Sequence, residues 1–202
     1  MTLYPHLEYL WLLQQVLWAH QEQLFADGSL PPDTMEEINA LQLAARHEAD
    51  VLFLNGVRLQ ASGQFDAALV RLNQSLDLLH GTTVFCSEEV ASAIYNMATI
   101  YLHQSRLDDA LELFGQALVI YRVIGAAKHT ADCLHKGATI FMRQGLYDQA
   151  LNFFGDALEL YHQTVGINSM EVAEALSNMA LVFTKKGRFD VAAKLLSEVR
   201  MI

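Results

Sequence analysis

The sequence predicts an all-α protein: a right-handed superhelical solenoid of antiparallel helix pairs, about four repeats long, with an N-terminal helical cap. Three observations carry this. Hydrophobic residues make up 52% of the 202 residues and charged residues 18%, ample for a core and inconsistent with extensive disorder. The 3 prolines are Pro5, Pro31 and Pro32, so no proline from residue 33 onward interrupts a helix. Third, a short signature returns at a period near 42. Gly63-Gln64-Phe65-Asp66-Ala67-Ala68 is echoed by Ser105-Arg106-Leu107-Asp108-Asp109-Ala110. It returns as Gly145-Leu146-Tyr147-Asp148-Gln149-Ala150 and as Gly187-Arg188-Phe189-Asp190-Val191-Ala192. The closing alanines at 68, 110, 150 and 192 are 42, 40 and 42 residues apart, and self-similarity of that length marks stacked helical units.

Residues 1–49 stand outside the repeat. Leu3, Leu10, Leu17 and Leu24 form one row at seven-residue spacing, with Tyr4, Trp11, Trp18 and Phe25 beside it, which predicts a helix with a broad apolar stripe. Two roles are open to it: capping the exposed end of the array, or binding a partner as a coiled-coil helix. The bulk of the aromatic row favours the cap. Asp27-Gly28-Ser29-Leu30-Pro31-Pro32 breaks this helix, and Asp33 with Glu36 three residues on reads as a capping box opening the next. No stop precedes Gly56, so this second helix is predicted to run into the first repeat.

From residue 50 the chain divides into repeats near 50–82, 88–124, 130–165 and 170–202, forming one repeat domain. In the second, Ile94, Met97, Ala98 and Tyr101 share one face of a first helix, Ser105-Arg106 turns the chain, and Ala110, Leu111, Phe114, Ala117 and Leu118 line a second helix. Small residues face each other across each pair (Gly56 with Ala68, Ala98 with Ala110, Ala138 with Ala150, Ala180 with Ala192) and allow close helix approach. Tyr101, Phe114, Tyr147, Phe154, Phe183 and Phe189 are expected to fill the wider gaps.

A small residue late in the first helix, an aromatic three later, Gly-x-aromatic at the turn and then Ala together resemble the tetratricopeptide repeat. Gly166-Ile167-Asn168-Ser169-Met170-Glu171-Val172-Ala173-Glu174-Ala175-Leu176-Ser177-Asn178-Met179-Ala180 is similar to the longer repeat of kinesin light chains. The likeness spans residues 50–202, and it departs from the family pattern at Met170, where a proline is usual, and at Asn55, where an apolar residue is. The resemblance implies a cargo-peptide groove in which Asn96 and Asn178 grip peptide backbone.

Composition narrows the remaining functions. Thirteen Lys and Arg against 23 Asp and Glu give a net charge of −10, which argues against nucleic acid. The apolar run Leu10–Leu13 has no basic residue before it, the first anywhere being Arg46, and Glu8, Gln14, Gln15, His20 and Glu22 break any bilayer-spanning stretch. No membrane insertion is expected, and a cytoplasmic location follows, to which the two cysteines add a reducing compartment. Asn73-Gln74-Ser75 matches a glycosylation acceptor that such a location leaves idle. Phosphate loops, nucleophile elbows and paired-cysteine zinc motifs are missing, so no enzyme activity and no cofactor are expected. His129 and Cys133 share a helix face, but His135 points elsewhere and a fourth metal ligand is lacking. Cys86 lies beside Ser87-Glu88-Glu89, where nearby acid makes a poor nucleophile.

What remains is surface. The first helices of such arrays line the concave side. Opposite the core stripe the second repeat carries Tyr95, Asn96, Thr99, Leu102 and His103. The third carries His135, Lys136, Thr139, Met142 and Arg143, and the fourth Ser177, Asn178, Leu181, Thr184 and Lys185. These positions hold three Lys or Arg and no Asp or Glu, read either as a ligand groove or as an ordinary solvated face. Phe53, Leu54, Val57, Gln60 and Ala61 make the matching face of the first repeat apolar. Residues 1–100 carry 12 acids and 3 bases, residues 101–202 carry 11 and 10. The expected ligand is therefore a protein or extended peptide with a hydrophobic anchor and acidic residues. The rival reading is a structural subunit. Ala193, Leu196, Val199 and Ile202 form an apolar row that predicts self-association or a larger complex through the C-terminal helix.

Overall fold

The computed structural model describes residues 32–82 and 87–202, and the side chains from Ala40 onward except those of residues 41, 42, 81 and 82. The predicted N-terminal helix, its capping role and Cys86 lie outside the described residues. The elements are α1 (Pro32–Ala61), α2 (Phe65–Thr82), α3 (Glu88–His103), α4 (Leu107–Val123), α5 (Ala127–Arg143), α6 (Tyr147–Thr164), α7 (Met170–Lys185) and α8 (Phe189–Val199). Among the described residues there is no strand. Two units pack, one up to Ala93 and one from Ile94 to Ile202, and each is taken by itself.

In the first unit α1 runs unbroken for 30 residues into the repeat, as its uninterrupted pattern predicts, beginning at Pro32 just ahead of the expected Asp33 cap. α2 folds back against it, with Gly56 and Ala68 buried at the seam. Ser75 is fully buried and its hydroxyl donates to the Ala49 carbonyl at 2.8 Å, satisfying a polar group in an apolar contact. The start of α3 is held by Arg46, whose guanidinium reaches Glu89 at 2.9 Å across an exposed surface.

In the second unit three helix pairs repeat one contact plan. Ala98, Ala110, Ala138, Ala150, Ala180 and Ala192 are all buried where paired helices approach. Each bend is one turn motif: the second residue after the helix adopts a left-handed conformation, and the next amide donates five residues back. Gly145 and Gly187 do this without a Cβ penalty, as does Gly63 in the first unit. At the same place in the α3–α4 turn stands Ser105 with φ 60°, the one non-glycine residue with positive φ among those described. Its neighbour Arg106 donates to the Tyr101 carbonyl at 2.9 Å, so the motif closes despite the side chain. α7 is capped instead by Ser169, which accepts from the Val172 amide at 3.3 Å.

Between pairs of this unit, α4 is covered by α5 and α6 by α7. Phe114 of α4 packs with Ile140 of α5, and Phe154 of α6 with Val182 of α7. Phe189, expected to fill a gap, is instead exposed, because among the described residues no further helix lies over α8. Tyr101 and Phe183 are half-buried beneath arginines, Arg106 at 4.3 Å and Arg188 at 5.6 Å from the ring centres.

Candidate functional site: the exposed rows of the first helices

On α5 the residues left partly or fully exposed between its buried faces include Asp132, Lys136, Thr139 and Arg143, spaced four, three and four apart on one side of the helix. α7 repeats the spacing with Glu174, Asn178, Leu181 and Lys185, and α3 with Asn96, Thr99 and His103. Each row of α5 and α7 starts acidic and ends basic, a sense that also complements the helix dipole. Lys136 and Lys185 enter no ion pair among the described residues, whereas the Arg143 guanidinium donates to the Leu102 carbonyl at 3.4 Å. Thr99 and Thr139 spend their hydroxyls on carbonyls one turn back, Tyr95 and His135 respectively. Met142 is half-buried against the Phe154 cluster, and Ser177 and Thr184 back-bond in the same way as the other hydroxyls.

Three predicted groove positions turn inward. His135 is only 6% exposed, Leu102 is buried, and Tyr95 is half-buried. The reason lies on the following helix. In the α3–α4 and α5–α6 pairs the side chain three residues before the seam alanine meets the aromatic of the second helix: Tyr95 edge-on to Phe114 at 5.3 Å, His135 edge-on to Phe154 at 5.2 Å. Burial, reinforced by the neighbouring Lys136 charge and opposed by Asp132, lowers the His135 pKa from 6.5 to about 4, so the ring is neutral. Its Nε2 lies 3.1 Å from the Asn178 amide, while Nδ1 is buried without a partner. Asn178, expected to grip a peptide, is thus already engaged through its side-chain nitrogen.

Two residues escaped the sequence reading, Asp132 and Glu174. Both fall one turn before positions that were identified, at the same four-residue spacing that placed Lys136 and Asn178, so the signal was present. Asp132 accepts from the Tyr161 hydroxyl at 2.8 Å and from Lys128 at 3.2 Å, and Lys128 also reaches Glu171 at 3.4 Å. This network ties α5, α6 and α7. Burial pushes the Tyr161 hydroxyl above its usual range, with Asp132 adding to it, so it remains a donor. Cys133 is buried, and burial raises its thiol likewise, leaving it without thiolate character. His129 stacks on Tyr121 at 4.9 Å. Among the described residues no cluster of three His, Cys, Asp or Glu side chains could hold a metal, and no helix is long and apolar enough to cross a membrane.

Helix pairs with alanine seams, left-handed turns and exposed first-helix rows define an all-α helical-repeat solenoid of the class that serves as a protein-interaction scaffold. Tetratricopeptide repeat models match residues 90–124 and 135–200, together half of the chain, and the chain belongs to the tetratricopeptide repeat family. Repeats of this family are generally non-catalytic interaction modules, and they imply protein partners. Among solved structures, BtubC (BKLC) from P. vanneervenii is 19% identical and has a TM-score of 0.69, covering 88% of this chain and 71% of that one. The kinesin light chain TPR-like repeats of Podosopora anserina are 18% identical with a TM-score of 0.64, covering 76% and 74%. Aspartyl phosphate phosphatase F from Bacillus subtilis is 16% identical with a TM-score of 0.70. The match covers 76% of this chain and only 39% of that protein. These likenesses are of fold, and in fold the repeats are kinesin light chain-like. No curated protein matches the sequence.

Proposed function

We propose that the chain is a non-catalytic adaptor, cytoplasmic, that holds a short, partly acidic peptide along the exposed rows of α3, α5 and α7. The observation that carries this reading is the repeated basic end of the α5 and α7 rows, Arg143 and Lys185, joined by Lys136, in a chain with net charge −10. Ligand carboxylates meet those cations, exposed Leu181 offers an apolar contact, and Asn178, whose nitrogen is engaged by His135, offers its amide oxygen as an acceptor. Tyr95 and His135 act beneath the row, fixing the helices that carry it, and Thr99 and Thr139 make up its neutral middle. The acids at the other end, Asp132 and Glu174, disfavour a ligand that is acidic along its whole length.

Selection from a random peptide library on the immobilised chain tests this. The expected winners combine hydrophobic and acidic residues, bind more weakly as salt rises, and are lost by the triple variant Lys136→Glu, Arg143→Glu, Lys185→Glu with its helical circular dichroism intact. Winners without acidic residues, or winners that the triple variant retains, would overturn the reading.

A further inference from the structure

We propose that α8 is a self-complementary edge on which a second copy of this chain docks antiparallel, giving a reversible twofold dimer. The inference is independent of the peptide reading, since none of its residues lies on the rows of α3, α5 or α7.

The repeat itself shows what is unusual about α8. On α4 the stripe Leu107, Leu111, Phe114, Leu118 is packed, with Phe114 2% exposed, and on α6 the stripe Tyr147, Leu151, Phe154, Leu158 is packed, with Phe154 0% exposed. The same repeat positions, on α8 and at the residue that ends it, are Phe189, Ala193, Leu196 and Arg200, of which Phe189 is 67% and Leu196 51% exposed. Ala193 stands where the other stripes have Leu111 and Leu151, and Arg200 where they have Leu118 and Leu158. A helix seated over α8 as α5 sits over α4, or α7 over α6, would set the Arg200 guanidinium at the half-buried place where Leu118 and Leu158 pack, exchanging an apolar contact for a charge. The α8 stripe asks for a different occupant.

Its own copy, run antiparallel, answers each feature. Ala193 then faces Leu196 of the second copy, and Leu196 faces Ala193, so small meets large on both sides of the axis. Arg200 faces Phe189 of the second copy, with Asp190 one residue further, so the guanidinium gains a ring face and a carboxylate together. Arginine on an aromatic ring is already in use twice in this unit, Arg106 on Tyr101 and Arg188 on Phe183. A twofold axis requires that each contact be reciprocal, and this register makes it so. One helix stripe is well below the ~800 Å² per partner of a standard interface, so the dimer is weak, with a dissociation constant of roughly 10–100 µM.

Sedimentation equilibrium of the full chain from about 5 to about 500 µM reads this out. The expected result is a reversible monomer–dimer equilibrium. Arg200→Asp sets a carboxylate against Asp190 of the second copy, and Asp190→Arg sets two guanidiniums together, so each weakens dimerisation by tenfold or more. The double variant Asp190→Arg, Arg200→Asp restores the pairing with its signs exchanged. Both positions are exposed, and circular dichroism confirms that each variant is folded. A chain that stays monomeric at the highest concentration overturns the proposal. So does a dimer that survives both single changes, which must use another surface, or a double variant that remains monomeric.

Discussion

The α1–α2 and α5–α6 hairpins each carry a glycine in the first helix, at positions one residue apart in the repeat, and with opposite consequences. Gly56 sits on the seam itself, across from Ala68, and a Cβ there would come within 2.8 and 2.9 Å of Leu72 Cγ and Cδ2. In α5 the seam residue is Ala138 and the glycine is Gly137, where a Cβ would meet the Phe153 ring at 3.4 Å, an ordinary contact. The α3–α4 and α7–α8 pairs have Met97 and Met179 at the position of Gly137, and Leu113 and Leu195 at that of Phe153. Volume missing from the first helix of α5–α6 is supplied by the second. A repeat therefore holds its backbone plan while side-chain volume moves across the seam, and only some glycines are spaces that must stay empty.

The largest expected effect is at the residue closing each pair. Phe154→Ala should cost about 3–5 kcal/mol in urea unfolding, and Leu72→Ala, at the same repeat position in α2, should cost less because a smaller side chain is removed. Equal losses would break the comparison. Next comes pH. His135 occupies the repeat position of Phe53 in α1, and its pKa falls from 6.5 in the unfolded chain to about 4 in the folded one. Its contribution is fully present above pH 6.5 and lost as pH falls toward 4, because the unfolded chain takes up the proton first; the loss approaches ~3 kcal/mol. Urea titrations of wild type and His135→Phe across that window should diverge by this amount as wild type weakens; parallel curves would show that the ring titrates normally.

The direct test of the two glycines is smaller. Gly56→Ala should destabilise by about 1 kcal/mol, the overpacking against Leu72 exceeding the gain in helix propensity. Gly137→Ala should stabilise by about 0.5–1 kcal/mol, since the propensity gain comes with little crowding. The same sign for both would remove the distinction. Smallest is the turn between them in sequence: Ser105→Gly should raise stability by roughly 0.5–1 kcal/mol by relieving the left-handed strain that Gly63 and Gly145 avoid. An unchanged midpoint would mean the serine bears no strain.

Much of this fold was legible because its determinants are local and repeated. Alanine pairs, glycine turns and apolar rows recur at one period, so each copy supports the reading of the others. The exposed ends of the rows, Lys136, Arg143 and Lys185, were legible for the same reason. Tyr95, Leu102 and His135 turn inward although helical spacing places them beside the exposed rows, because the partner that draws them inward lies on another helix. Asp132 and Glu174 were overlooked although the spacing contained them.

By itself the sequence determined the helix pairs, their seams and their turns, because these depend on propensity, small side chains and conformations within a few residues of one another. Only the tertiary structure decided which polar groups are spent on the fold. Asn178 meets His135 across 43 positions and Tyr161 meets Asp132 across 29, contacts that no local pattern encodes. The exposure of Phe189 and Leu196 was likewise decided there. An apolar row in sequence is the same whether or not another helix covers it, and burial is a property of what packs against a residue rather than of the residue itself.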